Sequence, residues 1–165
     1  MRSDFVDYEP LGHILYALTE PNRLVCCVAL ETGLRVGDIV SLKTSFLEKK
    51  SFTIKEQKTG KKKQIRLREG LRKQLLSQAG KVYVFEHRID PNKHRTRQAV
   101  FNDIKRACKL FRIKGNISPH SLRKAYAVDL YKKCNDINKV MKALNHDNEL
   151  VTMLYAMADM MKKRG

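Results

Sequence analysis

The chain has 165 residues, with 34 Lys plus Arg against 17 Asp plus Glu, a formal charge of +17 and a pI near 9.9. Hydrophobic residues make up 42%, enough for one domain over residues 1–165 to bury a core, which excludes a disordered chain and one dependent on disulfide staples. A surplus of positive charge on this scale points to a polyanion, and nucleic acid is the commonest one.

No run of about 18 apolar residues and no basic-then-apolar leader occurs, so the expectation is a cytoplasmic protein without a membrane partner. The four cysteines, Cys26, Cys27, Cys108 and Cys134, form no C-x-x-C pair and have no His at zinc-finger spacing. They read as reduced thiols that act as small hydrophobes.

In chain order, Leu11, Ile14, Leu15 and Leu18 recur at helical spacing, and Pro21 opens a second apolar helix that runs through Leu30. Gly33 ends it, and a short helix follows through Leu42. Strands are expected over 52–54 and 65–67, flanking a turn at 58–61, with a short strand over 82–85 completing a small sheet. Helices then read at about 95–112, 119–133, 136–145 and 149–163. The fold class is α+β, a mainly helical domain with a small antiparallel β-hairpin sheet. Charge is uneven along it: residues 1–34 carry a net −3, and residues 35–97 a net +12.

Four constellations carry chemistry. In Ser118-Pro119-His120-Ser121-Leu122-Arg123, Ser118 suits an N-cap and Pro119 the first helical position. His120 and Arg123, three apart, then share a face at a helix N-terminus, where unpaired N–H groups attract anions. A solvated His and Arg on a helix face is the plain alternative. In Glu31-Thr32-Gly33-Leu34-Arg35-Val36-Gly37-Asp38, Arg35 opens a helix against the dipole, so it needs an anion or a carboxylate partner, and Asp38 is placed to supply one. A local surface pair of about 0–1 kcal/mol is the alternative there.

Lys58, Lys61, Lys62 and Lys63 cluster on the hairpin turn, either solubilising an edge strand or offering a proton and charge to a polyanion. The last helix lines up Leu150, Met153, Leu154, Met157 and Met161 on one apolar stripe. Tyr155 lies about 100° from Leu154, at the stripe's edge, with its ring partly packed and its hydroxyl free. Tyr126 and Tyr131 read as ordinary amphipathic tyrosines.

Taken together, TGLRVGDIVSL at 32–42, the K-T-G turn at 58–60, HSLRK at 120–124, LNH at 144–146 and LYA at 154–156 resemble the tyrosine recombinases of the phage-integrase type, in order and in spacing. The resemblance covers nearly the whole chain. It implies that Arg35 and Arg123 grip a scissile phosphate, that Lys58 is the general acid, that His120 and His146 flank the phosphate, and that Tyr155 is the nucleophile. Lys61, Lys62, Lys63 and Lys124 are expected to contact DNA, with Lys61 to Lys63 close enough to compete with Lys58 for the acid's role. Asp38 stands where the family usually has Glu, Asn145 where it has Gly and Lys124 where His is frequent. None of these removes a reacting group.

The chemistry suits these residue types. Two guanidiniums neutralise charge growing on non-bridging oxygens without a metal, and no carboxylate cluster for paired Mg²⁺ stands out. A tyrosine of pKa about 10 needs a base, and an alkoxide leaving group needs an acid. A covalent phosphotyrosine conserves the bond energy, so neither cofactor nor ATP is implied. The implied function is site-specific DNA recombination or integration on double-stranded DNA. The partners are DNA and, on paired sites, three further copies of the chain. The isolated domain is expected to be monomeric, without the family's N-terminal core-binding domain. A type IB topoisomerase, which uses a similar residue set, and a non-catalytic basic DNA-binding module remain open.

Overall fold

The computed structural model describes residues 2–145 and 147–164. Helix α1 spans Tyr8–Ala17, α2 Glu20–Thr32 and α3 Val36–Val40. A 3₁₀ turn at Thr44–Glu48 leads into a hairpin of β1 (Ser51–Lys55) and β2 (Lys62–Arg66). Then come α4 (Glu69–Gln78), α5 (Arg97–Leu110), α6 (Pro119–Cys134), α7 (Ile137–Ala143) and α8 (Asn148–Arg164).

Helix α2 is the centre of the packing and touches α1, α3, α4, α5 and α6. Its sequence explains why: Leu24, Val25, Cys26, Val28 and Ala29 are all buried, leaving little polar face. Cys26 is a core side chain, and burial pushes its thiol out of reach of ionisation. The helix stops at Gly33, whose φ of 67° is left-handed and whose N–H closes onto the Ala29 carbonyl at 2.8 Å. The position also demands glycine sterically, because an added Cβ would sit 2.4 Å from the Tyr126 ring.

Buried hydrophobics form two clusters. The larger joins α1 to α5, the hairpin and the first part of α6, from Val6 to Leu122. The smaller consists of Ala127, Val128, Val140, Leu144, Leu150 and Leu154, and holds α7 and α8 against the rest of α6.

The hairpin is antiparallel, with Phe52 opposite Ile65 and Ile54 opposite Lys63. Period-two alternation puts Phe52, Ile54 and Ile65 on the core side. Lys63, two residues before Ile65, falls on that same side, while Lys62 points out. Two expectations change. Residues 82–85 make no strand of the sheet: Tyr83 forms a single bridge with Lys43, and Val84 donates to the Leu42 carbonyl at 2.9 Å. The pairing stops there because the partner chain turns at once into the 3₁₀ segment, so the hydrophobic Val84 and Phe85 are buried without a ladder. Residues 69–78, where the sequence predicts no element, form α4, packed through Leu71 and Leu75.

Candidate active site

Three local structures bring the site together. Arg35 is the residue just before α3, directly after the Gly33 turn. His120 and Arg123 stand on the first turn of α6, which begins as the sequence predicts, with Pro119 first and the Ser121 hydroxyl accepting the Ser118 N–H at 3.1 Å. The third part is the connection from α7 to α8, where Asn145 adopts a φ of 51°. Asparagine tolerates this left-handed conformation better than most residues, which suits a position where Gly was expected.

Arg123 is 1% exposed, far from the solvated-face alternative. One terminal nitrogen donates to the Gly33 carbonyl, and the other to the Leu144 carbonyl at 3.0 Å and to Asp147 Oδ2 at 3.4 Å. The guanidinium therefore ties the end of α2 to the end of α7. Burial pulls its pKa down, with Arg35 adding to the effect and Asp147 opposing it.

Arg35 does have carboxylate partners, but not Asp38. Its Nη1 lies 3.2 Å from Glu56 Oε2 and its Nη2 3.0 Å from Asp147 Oδ2. Asp38 is instead buried, with Oδ1 accepting the Gln57 N–H at 2.9 Å. It fixes the chain leaving β1, and burial raises its pKa despite that hydrogen bond. Glu56 has no exposed side-chain surface, and its Oε2 also accepts from the Thr59 hydroxyl at 2.8 Å. Burial works against its charge, but donated hydrogen bonds and the two arginines outweigh it and hold the carboxyl below its usual range.

A cleft of about 720 Å³ opens over this cluster, with Arg35, Lys58, His120, Arg123, Asp147 and Glu149 on its walls. Lys58 is exposed on the hairpin turn and faces the cleft. His120 Nε2 is 3.7 Å from Glu149 Oε2. Burial lowers the His120 pKa, with Lys124 and Arg123 assisting and Glu149 and Asp147 opposing, so the ring is neutral near pH 7 and able to take a proton.

The other expected residues lie elsewhere. Tyr155 is 54% exposed on α8, beside the buried Leu154, and does not line the cleft. Lys61 and Lys62 are exposed on the hairpin. Lys63 turns inward: its ammonium donates to the Thr32 carbonyl at 2.8 Å and sits 5.8 Å from the centre of the Tyr126 ring. Burial first, then Arg123 and Arg35, bring its pKa down to about 8. Lys124 is also turned inward, donating to the Ser3 carbonyl at 2.6 Å and pairing with Glu149 at 3.4 Å. His146 lies outside the described residues.

Glu56, Asp147 and Glu149 were missed in the sequence. Glu56 had a faint signal, as the one acid between the two basic strands, and Asp147 another, as an Asp at the mouth of the last helix. Among the described residues no three His, Cys, Asp or Glu side chains group as a metal site would require.

Comparison with known proteins places the chain in a family. A family model described as the phage integrase family matches residues 5–162. A tyrosine recombinase of Thermosipho africanus (strain TCF52B) is 29% identical over 164 residues, spanning 92% of this chain and 56% of the relative. A probable integrase/recombinase of Bacillus subtilis (strain 168), YoeC, is 25% identical over 131 residues, 76% of this chain and 71% of that protein. Among solved structures, a lambda integrase dimer bound to a COC′ core site superposes with a TM-score of 0.74 at 22% identity, covering 93% of this chain and 60% of that one. The chain thus spans little more than half the length of the Thermosipho relative.

Proposed function

The chain belongs to the phage integrase family, and from that premise we propose that it is the catalytic domain of a site-specific recombinase, cutting and rejoining double-stranded DNA through a 3′-phosphotyrosyl bond at Tyr155. One observation carries the reading: Arg35 and Arg123, 88 positions apart in the chain, converge on one carboxylate oxygen beneath a cleft walled by Lys58 and His120.

In the cutting step the Tyr155 phenolic oxygen attacks the phosphorus and the bond to the 5′-oxygen breaks. The phenolic proton passes to His120, which burial keeps neutral. The departing 5′-oxygen takes a proton from Lys58, which stands on the exposed turn of the hairpin at the cleft wall. Arg35 and Arg123 balance the extra charge on the non-bridging oxygens. The reverse sequence rejoins the strand, with the phosphodiester energy held in the tyrosyl ester. His146 belongs to the same set by resemblance. Lys61 and Lys62, exposed beside Lys58, supply phosphate contacts. Because Tyr155 stands outside the cleft, cutting requires α8 to deliver it to the bound phosphate. Assembly as four copies on paired sites is part of the same proposal.

The test is a nicked duplex whose short released strand, bearing the new 5′-hydroxyl, diffuses away after cutting, so that the covalent adduct accumulates. A detergent-stable adduct mapping to Tyr155, and lost in Tyr155→Phe, is the expected result. The stability of that variant should stay within about 0.5 kcal/mol of the parent, because the ring is on the surface and only a hydroxyl is removed. An adduct that survives Tyr155→Phe overturns the assignment of the nucleophile.

A further inference from the structure

We infer that Asp147 is a built-in anion that occupies the two-arginine seat and must be displaced before a phosphate diester can enter. The inference rests on the reading of Arg35 and Arg123 as a phosphate seat. A single oxygen, Asp147 Oδ2, receives one terminal nitrogen from each arginine, at 3.0 Å and 3.4 Å. That bridging position is the one a non-bridging phosphate oxygen would take between two guanidiniums.

Charge balance makes the two occupants alternatives. Two arginines face two carboxylates, Glu56 and Asp147, with side-chain exposures of 0% and 11%. A phosphate entering against both carboxylates meets their like charge in a part-buried site unless one carboxylate leaves. Glu56 is the fixed one, enclosed and held by the Thr59 hydroxyl at 2.8 Å within its own turn. Asp147 is the displaceable one, in the linker between α7 and α8, where among the described residues its other oxygen makes only a 3.4 Å contact with the Leu150 N–H. Its removal also frees the segment that carries Tyr155, eight residues further on. The protein thus holds its own competitor in the seat.

A purely structural Asp147 would serve only to neutralise the arginines and cap α8. Asp147→Asn separates the two roles, since asparagine caps a helix as well as aspartate but carries no charge. Titration with inorganic phosphate at low ionic strength should show Asp147→Asn binding about tenfold tighter than the parent, the effect of removing one charged competitor. Asp136→Asn, a cap of α7 that does not line the cleft, removes the same charge and should change nothing. Adding Arg35→Ala should abolish the gain. In the parent protein, the carboxyl ¹³C resonance of Asp147 should move as phosphate saturates. Equal affinity of the parent and Asp147→Asn, or an Asp147 resonance that ignores phosphate, overturns the competitor while leaving the seat. Absence of phosphate binding in both forms overturns the seat and the competitor together.

Discussion

Removing the Arg123 side chain should cost far more than removing one cation among 34. The guanidinium is 1% exposed and supplies the donors for two carbonyls, Gly33 and Leu144, as well as a share of the Asp147 charge. A buried acceptor left without its donor costs about 1–3 kcal/mol. Against these losses stands the relief of no longer burying a cation, the same desolvation that lowers the Arg123 pKa. Breaking a buried pair from one side typically costs about 3–5 kcal/mol net, and that is the expected loss for Arg123→Ala. For a domain whose total stability is of the order of 5–15 kcal/mol, the variant stays folded at 25 °C but melts roughly 10 °C lower. Arg123→Lys keeps the charge, yet one ammonium cannot span two carbonyls and a carboxylate, so its loss should fall between. Urea unfolding followed by circular dichroism measures both. A loss under about 1 kcal/mol for Arg123→Ala, at an unchanged denaturant slope, would refute the view of Arg123 as the tie between α2 and α7.

Lys58→Ala should cut ordinary DNA at least about a hundredfold more slowly, the usual scale of general-acid catalysis, and regain the rate on a substrate with a bridging sulfur at the 5′ position. Failure of the sulfur substrate to rescue Lys58→Ala, measured by adduct formation, would move the acid's role to another lysine. Lys63 predicts a pH effect on stability. Its folded pKa of about 8 lies below the 10.5 of the free side chain, so between those values the unfolded chain holds more protons and stability rises with pH. Relative to Lys63→Met, the parent should gain at least about 1.4 kcal/mol across that window, the worth of one pKa unit, in urea titrations at each pH.

The start of α6 was legible because Ser118, Pro119 and Ser121 act on neighbouring backbone, and the end of α2 because Gly33 alone suits its turn. The helix α4 was hidden by its composition: Leu71 and Leu75 are its only buried residues, set among Arg72, Lys73 and Gln74. The segment 82–85 misled for the opposite reason. Val82, Tyr83, Val84 and Phe85 have strand composition, but composition does not provide a partner strand. In the site, order and spacing single out Arg35, Lys58, His120 and Arg123, which line one cleft, and Tyr155, which does not. The counter-charges were not legible, since Glu56 and Asp147 meet Arg35 across 21 and 112 positions. Nor was the fate of Lys63 and Lys124, where the hairpin's register and the Ser3 carbonyl turn charged ends inward.

The division of the hydrophobic side chains into a large cluster and a small one gives the two halves of the chemistry different thermodynamics. Arg35, Lys58 and Glu56 are mounted on the large cluster, whereas Tyr155 rides on six buried side chains shared by α6, α7 and α8. So small a unit opens at a free energy well below that of global unfolding, and its amides should exchange with solvent long before those of α2 do. Warming, mild denaturant or trimming of Leu150 or Leu154 would then raise the excursions of Tyr155, the proposed nucleophile, while the body that bears Arg35 stays intact and Arg123 loses its hold on the Leu144 carbonyl. On the proposed mechanism, the frequency with which Tyr155 reaches the cleft becomes a property adjustable through the packing of α8.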